Sequence, residues 1–333
     1  MVAATTRRVR VGAPSFWLLA SILLFAGCGT KQSPGDEVPL RSAHGGDVQS
    51  QGPRIVQLAA GFDHSCALNS AGAVACWGDQ KAPETHGRFT ALAAGPRHSC
   101  AIDDAGSLSC WGKSKSGQLV PPETLGPVSV LSTGETTTCA AAADGSVTCW
   151  GASDNGRLDP PDDLGKVVRL SNGFGHTCAL DDSGTVRCWG DNYAKQLSPP
   201  PHLGTVTEIA SGYHHSCALN DRGAVTCWGD DHFGQSSPPA TLGTVVAITA
   251  GGYSNRYPRP SHTCALDDTG VVTCWGDDTL GQSSPPNTLG RITAISAGAL
   301  HTCAVDDRNV ITCWGDNGRG QSSPSPTLFD TDE

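Results

Sequence analysis

Fourteen cysteines sort into pairs by spacing alone. Cys66 and Cys76, Cys100 and Cys110, Cys139 and Cys149, Cys178 and Cys188, Cys217 and Cys227, Cys264 and Cys274, and Cys303 and Cys313 each stand ten residues apart. A tryptophan follows the second member every time: Trp77, Trp111, Trp150, Trp189, Trp228, Trp275 and Trp314. The period is 39 residues, apart from a shortened first unit and an enlarged sixth. Self-similarity at such a period means one supersecondary unit per repeat, none of which buries its apolar face alone. The chain must therefore build a ring or a stack.

The unit is legible in VVRLSNGFGHTCALDDSGTVRCWG (167–190) and VTEIASGYHHSCALNDRGAVTCWG (206–229). It holds three short strand candidates: the VxxIAAG-type segment (Val206–Gly212, Ile292–Gly298), then HTCAL, then TVRCW. Opposing Cys178 to Cys188 also opposes Leu180 to Val186 and Asp181 to Thr185, leaving Asp182, Ser183 and Gly184 as a loop. A three-residue hairpin loop places its last residue in the left-handed region. That residue is Gly at 72, 106, 145, 184, 223 and 270, and Asn309 in the seventh unit, the next most tolerant type. Directly opposed strand residues lie about 4.5–5.5 Å apart at Cα, within disulfide reach, so each pair is expected to close its own hairpin. Metal binding is the rival reading, but no CxxC spacing occurs.

Alternation decides between ring and stack. Cys178, Leu180 and Val186 point to one face, and Ala179, Arg187 and Trp189 to the other, so both faces carry apolar groups and each sheet is covered on both sides. The end units lack the atypical polar caps of an open solenoid. The expected fold is all-β, a seven-bladed β-propeller of short three- to four-stranded repeats.

The repeat HTCALDDSGTVRCWGDNYAKQ, with relatives ending WGDNGRGQ, resembles that of the regulator-of-chromosome-condensation family. The resemblance covers all seven units, roughly residues 54–325. Its short period and extracellular setting look closer to β-lactamase-inhibitor protein II, a bacterial member. The third unit departs most, with Thr137 in place of the His and Ala142-Ala143 in place of paired Asp; the first lacks the Gly-Gln element. The resemblance implies a rigid ring that binds other macromolecules through one face. The family's nucleotide-exchange role needs a cytoplasmic or nuclear GTPase, which an exported chain would not meet.

Residues 1–28 read as an address. Arg7, Arg8 and Arg10 precede an apolar run, Phe16 to Ala26, and Phe25-Ala26-Gly27-Cys28 places small residues before a cysteine. The pattern is that of a bacterial lipoprotein signal with Cys28 lipidated; an ordinary cleaved signal or an uncleaved anchor would equally send the rest outside the cytoplasm. The lipid would be the only link to a membrane, the outer one if the host has two. Residues 29–53, rich in Gly, Ser, Gln, Pro and charge, read as a tether, and 54–333 as the propeller. Beyond residue 28 the chain carries 19 Lys+Arg against 32 Asp+Glu, a net charge near −13 that repels nucleic acid and anionic lipid.

His64, His98, His176, His215, His262 and His301 share one repeat position. A ring of imidazoles could hold metal, but one hydrogen bond to neighbouring backbone explains the pattern as an architectural one. The Trp series reads as filler between blades. Asp pairs such as Asp103-Asp104, Asp181-Asp182 and Asp267-Asp268 match no calcium loop and suit turns, and the Pro-Pro pairs suit stiff crossings between blades. No HExxH, GxSxG or P-loop occurs. No enzyme, cofactor or metal is expected. The expected role is a monomeric, non-catalytic protein-binding module at the cell envelope, an inhibitor or an assembly scaffold, with glycan or peptidoglycan binding as the alternative. The loops after the first and third strands should share one rim. There the symmetry breaks on units four to six: Phe174 and Tyr193; Tyr213, His232 and Phe233; and an eight-residue expansion carrying Tyr253, Arg256, Tyr257 and Arg259. Aromatics and Arg are the types enriched at binding hot spots.

Overall fold

The computed structural model describes residues 52–83, 87–253, 260–325 and 328–329. They form seven antiparallel sheets of three strands each, in sequence order within every sheet. Blade 4 is typical: Val167–Asn172, His176–Asp181 and Val186–Gly190. Three strands suffice because the first strands of all seven blades line a common central channel, and each outer strand is covered by a neighbouring blade.

The hairpin is as derived. Cys178 opposes Cys188 and Leu180 opposes Val186, and all seven intra-hairpin disulfides are formed with Cα separations of 4.0–4.1 Å. The loop's last residue has φ of +84° at Gly184 and +72° at Asn309. The first Asp of each pair serves its turn: Asp181 Oδ1 accepts from the backbone N–H of both Ser183 and Thr185. Asn309 does more than tolerate its conformation. Elsewhere the first N–H of an inner strand donates to the hairpin Gly carbonyl of the preceding blade, as Val206 does to Gly184. At the junction of blades 7 and 1, Ile55 N–H donates instead to Asn309 Oδ1 at 2.6 Å.

Seven apolar clusters sit between blades, one per junction. Cys178, Leu180 and Val186 of blade 4 pack against Ala218 and Trp228 of blade 5, while Ala179 and Trp189 on the other face pack against Cys139 and Ala141 of blade 3. Leu58, Ala67 and Trp77 packing on Cys303 and Val305 closes the ring by the same contact, with no strand shared between the first and last blades among the described residues. Covering both faces of a small sheet is what removes its apolar atoms from water.

A polar ladder runs beside these clusters, and it corrects the expected hydrogen-bond partner of the histidines. Each imidazole bonds not to backbone but to a hydroxyl on the next blade: His64 to Ser99, His98 to Thr138, His176 to Ser216, His215 to Thr263, His262 to Thr302, and His301 to Ser65, at 2.7–2.9 Å. In five of the six pairs the hydroxyl's own proton goes to a backbone carbonyl, as from Thr138 Oγ1 to Gln118 O at 2.9 Å. At those five the imidazole must then donate from Nε2, which leaves Nδ1 as a bare, buried acceptor. Burial therefore pushes these rings down to about 3 at His64, His176, His215 and His301 and to about 4 at His98 and His262.

The same glutamine carbonyl takes the indole N–H of the following blade. Trp77 donates to Gln321, Trp150 to Gln118, Trp228 to Gln196, Trp275 to Gln235 and Trp314 to Gln282, at 2.8–3.0 Å. Two junctions depart where the sequence does. Arg157 fills the glutamine slot after blade 3; Trp189 donates to its carbonyl, and its guanidinium pairs with buried Asp191 at 2.8 Å. After blade 1 the Gly-Gln element is missing, Gln80 donates instead to Arg97 O at 2.7 Å, and Trp111 Nε1 has no partner among the described residues. Trp150→Phe should therefore destabilise the ring by about 1 kcal/mol more than Trp111→Phe, since only the former loses a hydrogen bond. Urea midpoints of the two variants measure this; equal losses would remove the indole bond as a contributor.

Candidate binding face

Both rims are fixed by backbone bonds. In every blade the residue after the Trp-Gly step donates to the loop between inner and middle strands: Asp79 to Asp63, Lys113 to Arg97, Ala152 to Thr136, Asp191 to Gly175, Asp230 to His214, Asp277 to Ser261 and Asp316 to Leu300. The two loop sets thus share one rim, as expected, and the hairpin tips lie on the other. The rim loops start at glycines because neighbouring backbone crowds them: a Cβ on Gly212 would lie 2.9 Å from Gly251 O and 2.2 Å from the His215 ring.

The structure sorts the expected rim residues into two groups. Phe174, Tyr213 and His214 form one aromatic cluster across blades 4 and 5, with centroids 4.1 Å apart for the tilted Phe174–Tyr213 pair and 4.3 Å for the edge-on Tyr213–His214 pair. Tyr213 is only 4% exposed, so it is a support for the rim rather than a contact on it. Tyr193 is the outward member at 74% exposure; it meets His214 edge-on, and its hydroxyl accepts from Asn155 of blade 3. His232 is exposed and edge-on to half-buried Phe233. Tyr253 stacks at 3.9 Å on Phe62 of blade 1, so the aromatic surface extends past the three blades expected. The base of the sixth-blade expansion is a continued ladder, Gly252 opposite Ser261, tied by Tyr253 N–H to Pro260 O. Arg256, Tyr257 and Arg259 lie outside the described residues, as does Cys28.

Phe62 and His214 had no individual signal in the sequence. Phe62 stands alone in the most shortened unit, and His214 precedes the repeated His215 and is masked by it. The rim also carries Glu135, whose carboxyl burial holds above its ordinary range against the pull of Arg97 and Arg157. Among the described residues no cluster of three or more His, Cys, Asp or Glu could hold a metal ion, and no helix is long and apolar enough to cross a membrane.

The model of the regulator of chromosome condensation (RCC1) repeat matches residues 55–81, 89–118, 167–196, 206–235, 260–282 and 292–321, half of the chain. The chain belongs to the RCC1 repeat family. The unit left unmatched is the third, where Thr137 and Arg157 replace the ladder's His and Gln. A search of curated proteins found no match. Among solved structures, the ectodomain of the Physcomitrella patens receptor kinase CR4 is similar at 23% identity and a TM-score of 0.64, over 79% of this chain and 74% of that one. Yeast RCC1 (Prp20), solved bound to Kap60, aligns at 17% identity and 0.63, over 90% and 89%. Prp20p of Saccharomyces cerevisiae, whose binding to Gsp1p and histones was characterised, aligns at 18% and 0.61, over 83% and 85%. At these identities the likeness establishes the RCC1 propeller fold.

Proposed function

We propose that this RCC1-repeat propeller is a non-catalytic protein-binding module displayed outside the cytoplasm, docking its partner through the rim of blades 4 to 6. The observation that carries this is the symmetry breaking: an aromatic cluster supporting exposed Tyr193, and Tyr253 stacked on Phe62, on the same rim. Rigid aromatic anchors on a preformed ring offer large contact area at small ordering cost. Yeast Prp20, which shares the fold, was solved bound to Kap60, and its binding to Gsp1p and histones was characterised. Display outside the cytoplasm rests on seven disulfides, which persist in oxidising compartments, and on the signal-like residues 1–28 with lipidation at Cys28. Inhibition of an enzyme and scaffolding are both compatible with such a module.

One experiment tests docking and anchoring together. Cys28→Ser should move the exported chain from the membrane fraction to the soluble one, where it serves as bait. Against the captured partner, Tyr193→Ala, Tyr253→Ala and Tyr257→Ala should each weaken binding by on the order of 1–3 kcal/mol without lowering the melting temperature. Substitutions at hairpin-tip residues Asp182, Asp268 and Asp307 should change binding little. The reverse pattern would move the interface to the opposite rim, and membrane retention of Cys28→Ser would remove the lipid anchor.

A further inference from the structure

The seven inner strands carry only two charged side chains, Arg169 and Glu208, and both stand at one repeat position. That position, third in each strand, holds Gln57, Ala91, Val130, Arg169, Glu208, Ala247 and Ala294. It follows a register shift that the inner strand makes in every blade, and its three long polar members reach across to the next blade. Blade 1 shows what the position can do. Gln57 Nε2 donates to Leu92 O at 2.6 Å, and Leu92 N–H donates to Gln57 Oε1 at 3.0 Å. One side-chain amide thus takes the place of a facing strand and satisfies both backbone groups of Leu92.

Glu208 stands in the same place against blade 6. Ile248 is the counterpart of Leu92, and its N–H donates to Glu208 Oε2 at 3.1 Å. A strand residue turns its N–H and C=O to the same side, so the Ile248 carbonyl faces the carboxyl as the Leu92 carbonyl faces the amide. An ionised carboxylate only accepts, and it meets Ile248 O acceptor against acceptor. Among the charged or titratable groups on the strands packed around Glu208, Arg169 is the one that acts on it. Its guanidinium is directed to Thr207 O at 3.1 Å, without an ion pair to Glu208. His176 and His215 are bound into the ladder, and Asp181 into its turn. Burial holds the Glu208 carboxyl above its ordinary range, against the Ile248 N–H bond and the pull of Arg169.

We propose that Glu208 is a proton-operated clamp between blades 5 and 6. Its protonated carboxyl donates to Ile248 O while accepting from Ile248 N–H, the same pair of bonds that Gln57 makes between blades 1 and 2. Ionisation removes the first of the two. The clamp's contribution to stability is complete below the ordinary glutamate value of 4.5 and is lost as pH rises through the higher folded value. That is the reverse of the imidazole ladder, so acidification that loosens the ladder tightens this junction. The inference does not depend on the docking rim, on export or on the anchor.

The test is carbon-13 NMR of the full chain, followed from about pH 8.5 down to about pH 5.5. The Glu208 carboxyl carbon and the Ile248 carbonyl carbon should shift together, with one midpoint above 4.5. In Glu208→Gln the Ile248 carbonyl should stay fixed over this range. At about pH 8 that variant should melt about 2–4 °C higher than the parent chain, the effect of one added hydrogen bond. Gln57→Glu should do the opposite, melting lower by a similar amount and making the Leu92 carbonyl pH-dependent. Should Gln57→Glu not fold, the Glu208→Gln result decides alone. A Glu208 carboxyl that has not begun to titrate by about pH 5.5 overturns the proposal. So does an Ile248 carbonyl that ignores the titration, or a melting temperature that is unchanged or lower in Glu208→Gln.

Discussion

Acidification should unfold the ring in one steep transition with a midpoint between about pH 4 and 5.5, because six buried imidazoles must charge together. Each is held neutral by burial, at about 3 or about 4 against the ordinary 6.5. The folded values are depressed, so between them and 6.5 the unfolded chain binds more protons. Stability is then complete above 6.5 and is lost as the pH falls below it. One proton is worth about 1.4 kcal/mol per pH unit, so six acting together approach a slope of about 8 kcal/mol per unit. Typical net stabilities of about 5–15 kcal/mol are exhausted within one to two units at that slope. Glu208, Glu135 and Asp63, whose carboxyls burial raises, work in the opposite sense, but they are three carboxyls against six imidazoles. Tryptophan fluorescence against pH and the imidazole proton resonances test this together. Rings that titrate near 6.5 with tertiary structure intact would show that the ladder does not exclude the proton.

Reduction should be as damaging. Each disulfide closes a short hairpin loop and contributes roughly 2–3 kcal/mol in the chain-entropy model. Seven of them together reach or exceed the net stability of an ordinary domain, about 5–15 kcal/mol. The blades have little else to draw on, since their inward positions are often Ala, as at Ala67, Ala101, Ala140 and Ala179. The fully reduced, alkylated chain should lose its near-ultraviolet circular dichroism and cooperative melting at 25 °C. Native reduction should be slow, because the first cysteine of every pair is no more than 1% exposed and a reductant must wait for a blade to open. A reduced chain that melts within a few degrees of the oxidised one would show that the interblade packing suffices alone.

The hairpins were open to sequence reasoning because everything that decides them lies within a dozen residues. Two cysteines ten apart set the register, and the register set the loop. The loop demanded a residue that tolerates positive φ, which is why Asn309 could be read beside six glycines. Alternation then exposed two apolar faces, and two apolar faces on a small sheet leave a closed ring as the arrangement that covers both. The rim assignment followed from strand direction alone.

What lay beyond reach was every question of which copy meets which. A repeated sequence offers each histidine seven equivalent hydroxyls, and no spacing says that His301 bonds Ser65 across 236 residues. The glutamine carbonyl that takes both the hydroxyl and the indole proton is a backbone atom, invisible to side-chain pattern. Tyr213 and Tyr193 read alike as rim aromatics, yet packing between blades buries one and presents the other. Local geometry, carried by cysteine spacing and backbone tolerance, made the blade and its closure into a ring a property of the sequence. The ladder between blades and the support under the rim exist only once seven copies are brought edge to edge, because each depends on distances between residues the chain itself keeps a whole repeat apart.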